Sequence, residues 1–305
     1  MKGTVIKSTG SWYEVLGEDS INYNCRIRGK IRLEEIKETN PVTVGDYVEF
    51  HVEEGSHAIT EILPRKNHLL RKSVKKTGHS NVLAANVDLA ILIATIDQPR
   101  TSLGFIDRFL VSAEAYRIPQ CLVFNKTDLL TEEQNTTLQK LKQVYSNIGV
   151  KVITMSALQA KGFDELNTII DGKTSIIAGH SGVGKSTILN TLLPGADQSV
   201  SEISNFSNKG THTTTFAEMF QRNAETFVID TPGVKEWGLV DMNPQEISDY
   251  FPEMRDRRLD CKFGARCLHM QEPKCTILDA VEKGEIELSR YQSYVSMVND
   301  EDNRR

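Results

Sequence analysis

The chain has 305 residues, of which 39% are hydrophobic and 25% are charged, and its formal net charge is −5. This length suits about two average domains or three small ones. No apolar run reaches the roughly 18 residues of a membrane-spanning helix, so none is predicted. The negative net charge excludes a uniformly basic nucleic-acid-binding surface. Any nucleic-acid contact must therefore come from local basic patches.

Residues 1–65 predict a small barrel of short strands. Stretches such as GTVIK and DYVEFHV alternate apolar and polar residues, and glycines together with Asn40-Pro41 interrupt them. This alternation is typical of half-buried strands, and about 60 residues are too few for a two-sheet sandwich. We therefore expect an all-β, five-stranded barrel of the oligonucleotide-binding type, although periodicity alone does not fix the barrel type.

A basic linker is predicted at 64–81. The stretch from Pro64 to Lys76 contains six lysines and arginines and no acidic residue. A solvated linker and a phosphate-contacting seam beside the barrel both fit this composition, and both interpretations stay open.

Strands and helices alternate across 66–235. The segments VDLAILIAT and TSIIAG are largely apolar, as in parallel strands that are buried on both faces. One helix is expected to start after Thr131, with acidic residues in its first turn. The alternation predicts an α/β domain in which helices cover both faces of a parallel sheet.

A phosphate-binding loop follows the strand TSIIAG and precedes a helix, in the pattern G-x-x-x-x-G-K-[ST]. Backbone N–H groups of such a loop surround phosphate oxygens, and the helix N-terminus adds a positive dipole end. Lys185 is expected to neutralise the β- and γ-phosphates, and the Ser186 hydroxyl to bind Mg²⁺. The predicted site comprises Gly179, His180, Ser181, Gly182, Val183, Gly184, Lys185, Ser186 and Thr187.

A second phosphate motif, Asp230-Thr231-Pro232-Gly233, follows the strand FVID. An aspartate at the end of a neighbouring strand is suited to a carboxylate linked to Mg²⁺. Gly233 leaves room for a backbone amide near the γ-phosphate. The pattern D-x-x-G specifies only two residues. It indicates a phosphate site here because it follows the phosphate loop.

Between these motifs lies the polar stretch Gly210-Thr211-His212-Thr213-Thr214-Thr215. A flexible loop is one interpretation. The other is a switch loop in which a threonine binds Mg²⁺ when the γ-phosphate is present. Thr214 is the favoured ligand, although the sequence does not separate it from Thr213 and Thr215.

Hydrolysis by these motifs requires a group that orients the attacking water. Many GTPases place a glutamine after the glycine of D-x-x-G, but here Val234 follows Gly233. His212 in the threonine stretch is therefore the candidate for positioning the water, with a solvent-facing loop histidine as the alternative.

A base-binding motif, Asn125-Lys126-Thr127-Asp128, ends the strand CLVFN. The Asp128 carboxylate can accept from N1–H and the 2-amino group of guanine, and adenine offers neither donor. Ser156 and Ala157, after the strand VKVITM, supply a backbone N–H for guanine O6. An ATP-using phosphotransferase in which N-K-T-D is accidental remains the alternative.

A metal module is predicted within 236–305. Cys261, Cys267, His269 and Cys275 lie within fifteen residues and form a closed ligand set for structural Zn²⁺. The segment is mostly helical by pattern and has few apolar residues, so metal binding is expected to supply folding energy. RNA phosphates or a solvated face would explain the surrounding basic residues Arg255, Arg257, Arg258, Lys262, Arg266 and Lys274.

These are the guanine-nucleotide motifs of the translation-factor GTPases, but the base motifs precede the phosphate motifs. With its barrel and cysteine cluster, essentially the whole chain resembles the circularly permuted GTPases of the RsgA (YjeQ/YloQ) family. The resemblance implies a cytoplasmic, monomeric, Mg²⁺-dependent GTPase that binds GTP and GDP and is stimulated by the small ribosomal subunit. It also implies rRNA binding and a late maturation role in which hydrolysis times release. A GTP-dependent regulatory protein without a ribosomal partner is the remaining alternative.

Overall fold

The computed structural model describes residues 1–27, 41–53, 56–72, 80–194, 217–231 and 242–299. Within these ranges the chain forms thirteen strands and eight α-helices. None of these helices has the length and apolar character needed to cross a bilayer.

The first five strands form a closed barrel. They pair in the order β1-β2-β3-β5-β4, and β4 returns to pair with β1. The β3–β5 pair is parallel and the other pairs are antiparallel. Val5, Val15, Phe50 and Ile59 are buried inside, as the alternating pattern requires. This confirms the predicted five-stranded barrel, whose strands are β1 (Lys2–Ser8), β2 (Tyr13–Gly17), β3 (Asn22–Ile27), β4 (Tyr47–Glu53) and β5 (Ser56–Ile62).

Two antiparallel strands overlap the segment 64–81, which was predicted as a linker. They are β6 (His68–Lys72) and β7 (Ser80–Ala85), and β7 extends beyond the predicted end of the linker. Just before β6, Arg65 donates from Nε to Oδ1 of the fully buried Asp46 at 2.6 Å and from Nη2 to Oδ2 at 2.8 Å. The Arg65 charge is therefore engaged in attaching this segment to the barrel.

The central sheet is parallel except at one side. Its strand order is β10-β9-β8-β11-β13-β12, and only β12 is antiparallel to its neighbour within this set. β12 also meets the barrel strand β1, where Lys7 pairs with Glu218 at 2.8 Å. The strands are β8 (Leu89–Ala94), β9 (Gln120–Phe124), β10 (Lys151–Thr154), β11 (Thr174–Gly179), β12 (Glu218–Gln221) and β13 (Phe227–Asp230).

Helices cover both faces of this sheet, as predicted. Leu92 of β8 faces a core with α1 and α2, whereas Ile91 faces a core with α3 and α4. Helix α2 starts after Thr131, whose Oγ1 accepts from the N–H of Gln134 at 3.3 Å in a capping box. The helices are α1 (Leu103–Ala115), α2 (Glu132–Asn147), α3 (Phe163–Ile170) and α4 (Lys185–Leu192).

The C-terminal module packs against α1. Its core contains Phe251, Met254, Ile277 and Tyr294, and Val111 of α1 inserts into it. Residues 242–299 contain helices and short 3₁₀ turns and no strand, which agrees with the helical pattern. The α-helices are α5 (Pro244–Ile247), α6 (Pro252–Arg255), α7 (Thr276–Glu282) and α8 (Leu288–Val298).

Candidate functional site

The predicted motifs meet at the carboxyl-terminal ends of the parallel strands. The base motif follows β9, Ser156 follows β10, the phosphate loop follows β11, and Thr231 follows β13. All four strands run in one direction, so these loops share one side of the sheet. Ligands of open α/β sheets bind at such a side. The fold therefore brings the motifs together, although their order along the chain is permuted.

The Asn125 side chain connects three of the motifs. Its Nδ2 donates to the carbonyl of Val183 in the phosphate loop at 2.9 Å. Its Oδ1 accepts from the N–H of Ala157 at 2.9 Å. Asn125 is buried, so both hydrogen bonds are sheltered from water. The base loop and the phosphate loop are therefore held in one fixed arrangement.

Two glycines allow the phosphate loop to adopt its shape. Gly182 has φ +84° and Gly184 has φ +94°, a region that side chains disfavour. A Cβ on Gly184 would lie 2.3 Å from Nδ2 of Asn125. The absence of a side chain at Gly184 is what lets Asn125 approach the loop.

Lys185 begins α4 at the base of the phosphate loop. Its ammonium donates to the Asp230 carboxylate and to the carbonyl of Thr231, the latter at 3.3 Å. Both side chains are largely buried, with 12% of Lys185 and 3% of Asp230 exposed. A phosphate group that binds Lys185 must therefore compete with the Asp230 carboxylate. The next residues of α4, Ser186 and Thr187, are exposed and present their hydroxyls on its first turn.

The base loop is tied to the end of β10. The N–H and Oγ1 of Thr127 both donate to the carbonyl of Met155, at 3.1 and 3.0 Å. Asp128 lies half-buried on the 3₁₀ turn that follows. Among the described residues, none donates a hydrogen bond to its carboxylate. This carboxylate is thus held in place while its acceptor oxygens stay available.

Sequence reasoning missed the loop after β8, residues 95–101. Nζ of Lys126 donates to the carbonyl of Gln98 at 2.6 Å, so this loop fixes the lysine of the base motif. Pro99 lies beside Gly182, with its Cδ 3.5 Å from where a glycine Cβ would be. The position of the loop at the end of a buried parallel strand was the available signal.

The start of α1 also contacts the phosphate loop. The Phe105 ring stacks on the His180 imidazole with centroids 3.8 Å apart and planes at 31°. Burial lowers the pKa of His180 below its ordinary value of 6.5, so the ring is neutral at pH 7. The stack therefore acts as an apolar support for the phosphate loop.

Three predicted site residues, His212, Thr214 and Gly233, lie outside the described residues, as do the alternatives Thr213 and Thr215.

The four predicted zinc ligands converge in the C-terminal module. Their ligand atoms lie within 4.8 Å of one another, and all four residues are buried. Nδ1 of His269 is 3.6 Å from Sγ of Cys261 and 3.4 Å from Sγ of Cys275, and these two sulfurs are 3.8 Å apart. Zn–S bonds of about 2.3 Å and Zn–N bonds of about 2.0 Å place tetrahedral ligands roughly 3.5–3.8 Å apart. Cys261, Cys267, His269 and Cys275 thus fit a closed, four-coordinate Zn²⁺ site.

The zinc ligands are supported by their neighbours. Oγ1 of Thr276 lies 3.1 Å from Sγ of Cys261, and the Tyr291 hydroxyl donates to the carbonyl of His269 at 2.8 Å. The Glu272 carboxylate accepts from the N–H groups of Leu268 and Met270 at 2.8 and 2.7 Å. Such contacts orient ligands for a metal. The ligand loop, residues 261–275, is therefore held in a metal-binding arrangement by the surrounding side chains.

Known proteins resemble this chain over its whole length. It is 48% identical over 310 residues to the small ribosomal subunit biogenesis GTPase RsgA of Christiangramia forsetii, covering 100% of this chain and 98% of that protein. The corresponding values for RsgA 2 of Bacteroides thetaiotaomicron are 47% over 303 residues, 99% and 97%. The crystal structure of YjeQ from Thermotoga maritima superimposes with a TM-score of 0.78 at 35% identity, covering 100% of this chain and 99% of that one. YloQ, described as a circularly permuted GTPase, gives 0.73 at 32% identity, covering 100% and 96%.

Two family models match successive parts of the chain. The model of the RsgA N-terminal domain matches residues 2–59, a range that contains β1 to β4 and the first part of β5. The model of the RsgA GTPase matches residues 62–240, more than half of the chain. The permuted motif order, the full-length identity and the zinc-ligand cluster agree with these matches. The chain belongs to the RsgA family of circularly permuted GTPases.

Proposed function

We propose that this protein hydrolyses GTP in the presence of Mg²⁺, binds the rRNA of the small ribosomal subunit and acts in the late maturation of that subunit. GTP hydrolysis would time its release from the particle. The observation that carries the nucleotide part is the Asn125 side chain, which joins the base loop to the phosphate loop. The relatives in Christiangramia forsetii and Bacteroides thetaiotaomicron, both named as small ribosomal subunit biogenesis GTPases, support the ribosomal part.

In this proposal, Asp128 is the residue that recognises guanine. Its carboxylate accepts from N1–H and the 2-amino group of guanine, and Asn125 and Lys126 hold the loop that presents it. The N–H groups of Ser156 and Ala157 already donate to Lys161 O and Asn125 Oδ1. The N–H of the next residue, Leu158, is then the donor that reaches guanine O6.

The Lys185–Asp230 pair exchanges partners when the nucleotide binds. The β- and γ-phosphates take over the Lys185 ammonium, because two or more phosphate charges attract it more strongly than one carboxylate. The Asp230 carboxylate is thereby freed, and it would hold Mg²⁺ together with the Ser186 hydroxyl. Residues 179–187 supply the backbone N–H groups that surround the phosphates.

The switch residues complete the site in the same proposal. Thr214 would hold Mg²⁺ when the γ-phosphate is present, Gly233 would offer its amide to that phosphate, and His212 would position the attacking water. Because water positioning requires His212 to be held in place, we expect slow turnover by the protein alone and acceleration by a partner.

We further propose a cytoplasmic monomer in three units, 1–65, 66–235 and 236–305. None of the five cysteines forms a disulfide, which suits a reducing compartment. Limited proteolysis would cut near 65 and 235, and sedimentation would give the mass of one chain.

The test of the proposal is GTP turnover with and without purified small ribosomal subunits. We expect the subunits to raise turnover by at least tenfold, and Lys185→Ala to abolish it. Unchanged turnover would favour a regulatory protein without a ribosomal partner. Equal turnover of ATP and GTP would favour the phosphotransferase alternative.

A further inference from the structure

The structure separates the basic residues of the zinc module into two groups. Three arginines are engaged by acids: Arg255 by Glu114, Arg257 by Glu285 and Arg258 by Asp249. In contrast, Lys262, Arg266 and Lys274 form no ion pair within the described part of the chain, and all three are exposed. The charge available to a partner is therefore concentrated in the second group.

The three unpaired cations stand on the turns that carry the zinc ligands. Lys262 follows Cys261, Arg266 precedes Cys267, and Lys274 precedes Cys275. The backbone brings two of them together, because the N–H of Lys262 donates to the carbonyl of Lys274 at 3.4 Å. Their positions are thus fixed by the metal-ligand framework.

An aromatic side chain lies among these cations. The Phe263 ring is 41% exposed, and Nζ of Lys262 sits 5.4 Å from its centroid. The N–H of Arg266 donates to the carbonyl of Phe263 at 3.2 Å, so the two residues belong to the same short turn. Leu259, which is 67% exposed, adds apolar surface on the preceding turn. A partner that covers Phe263 and Leu259 would remove this apolar surface from water.

Acidic residues are fewer than cations in this part of the chain. Asp260 and Glu272 are the acids between Leu259 and Cys275. The Glu272 carboxylate accepts hydrogen bonds from the N–H groups of Leu268 and Met270, so it is directed at the ligand loop. With three cations and two acids, residues 259–275 carry a net positive charge.

We propose that Phe263 stacks on an unpaired RNA base, while Lys262, Arg266 and Lys274 contact the flanking phosphates. An aromatic ring among cations is the arrangement by which proteins recognise single-stranded RNA. A protein partner would be expected to cover a broader apolar patch with fewer unpaired charges. The inference rests on the proposed rRNA binding and specifies its recognition mode: a single-stranded loop rather than a duplex.

The test measures binding of the full-length protein to a labelled, unstructured RNA of about 12 nucleotides and to a duplex of the same sequence. Phe263→Leu keeps the apolar surface but removes the stack, and should weaken single-strand binding roughly 5- to 150-fold. Phe263→Tyr should bind like the wild type, and duplex binding should not change. Zinc content verifies that the variants keep the ligand framework.

Salt dependence tests the cations independently. Lys262→Gln and Arg266→Gln should each lower the slope of log affinity against log salt by about 0.7. Arg257→Gln is the matched control, because its charge is engaged by Glu285, and it should change the slope less.

Two results would overturn the inference. One is single-strand binding by Phe263→Leu equal to that of the wild type. The other is loss of small-subunit binding by Phe263→Leu with RNA binding intact, which would assign the surface to a ribosomal protein. Failure of the proposed function would look different, since small subunits would then not stimulate the wild type at all.

Discussion

The Arg290 guanidinium of α8 donates to the Asp107 carboxylate of α1 at 2.6 Å, and both side chains are almost fully buried, at 2% and 0% exposed. Glu253 accepts a second hydrogen bond from Arg290 at 2.7 Å, and the Tyr145 hydroxyl donates to Asp107 at 3.0 Å. The guanidinium also lies 4.5 Å from the ring centroid of Phe251. The zinc module is therefore attached to the GTPase domain by a buried ionic network.

Removing one partner of this network should destabilise the protein strongly. Arg290→Met leaves Asp107 and Glu253 without their cation, and we expect the free energy of unfolding to fall by about 3–5 kcal/mol. Lys140→Met is the control, because the Lys140–Glu287 pair is exposed and should contribute less than about 1 kcal/mol. Denaturant unfolding followed by circular dichroism measures both. Equal losses in the two variants would contradict a structural role for the network.

Gly184→Ala should impair nucleotide binding beyond its backbone strain. The new Cβ would lie 2.3 Å from Nδ2 of Asn125 and displace the side chain that joins the two loops. Gly149→Ala is the matched control: Gly149 has φ +85°, and a Cβ there meets nothing within 4 Å. Both variants carry about 1 kcal/mol of left-handed backbone strain. Titration with GTP should show a loss of at least tenfold for Gly184→Ala alone.

Asp128→Asn should change the preferred base. The amide no longer accepts two charge-assisted hydrogen bonds from guanine, so GTP affinity should fall by about 100-fold or more. Xanthosine triphosphate, with a carbonyl where guanine has its 2-amino group, should bind better than GTP. Asp164→Asn, an exposed acid at the start of α3, is the control that should keep guanosine preference. A variant that still prefers GTP would remove Asp128 from the base site.

Metal removal should unfold the C-terminal module before the rest. The wild type should contain about one zinc per chain, and Cys275→Ser should lose it because the ligand set is then incomplete. The module should then melt in a separate, earlier transition, since metal binding supplies folding energy. Cys121→Ala changes a buried thiol of the sheet instead, and should retain zinc. Elemental analysis and thermal unfolding report both quantities.

Acid should destabilise the phosphate loop through His180. Burial lowers the pKa of this histidine, so the unfolded chain takes up a proton near pH 6.5 while the folded ring resists it. The free energy of unfolding should therefore decrease as pH falls below about 6.5, and His180→Gln should flatten that decrease. Thermal midpoints between pH 5.5 and 8 measure this slope, and an identical slope in the wild type and His180→Gln would contradict the assignment.

Local patterns explain what was predictable. Helix α2 starts after Thr131 as expected, because the capping box of Thr131 and Gln134 involves only residues three positions apart. The zinc ligands, from Cys261 to Cys275, are likewise close in the chain. The β8 strand is buried on both faces, so its continuous apolar run was sufficient to identify it.

Contacts between distant segments explain what was not predictable. Asp107 and Arg290 are separated by 183 positions, and each reads as an ordinary surface charge on an amphipathic helix. The partner of Arg255, Glu114, lies in a different domain of the fold, so composition could not separate engaged from unengaged cations. The loop at 95–101 carries no recognisable motif, and its role follows from where β8 ends.

The Lys7–Glu218 ion pair lies where it can reduce self-association of the molecule in concentrated solution. β12 is the outermost strand of the parallel sheet, and such a strand offers unpaired backbone groups to any other chain. The barrel strand β1 occupies part of that position, and the Lys7–Glu218 ion pair adds charge to it. The N-terminal barrel thus shields the sheet against self-association, and a chain lacking the barrel should aggregate through β12.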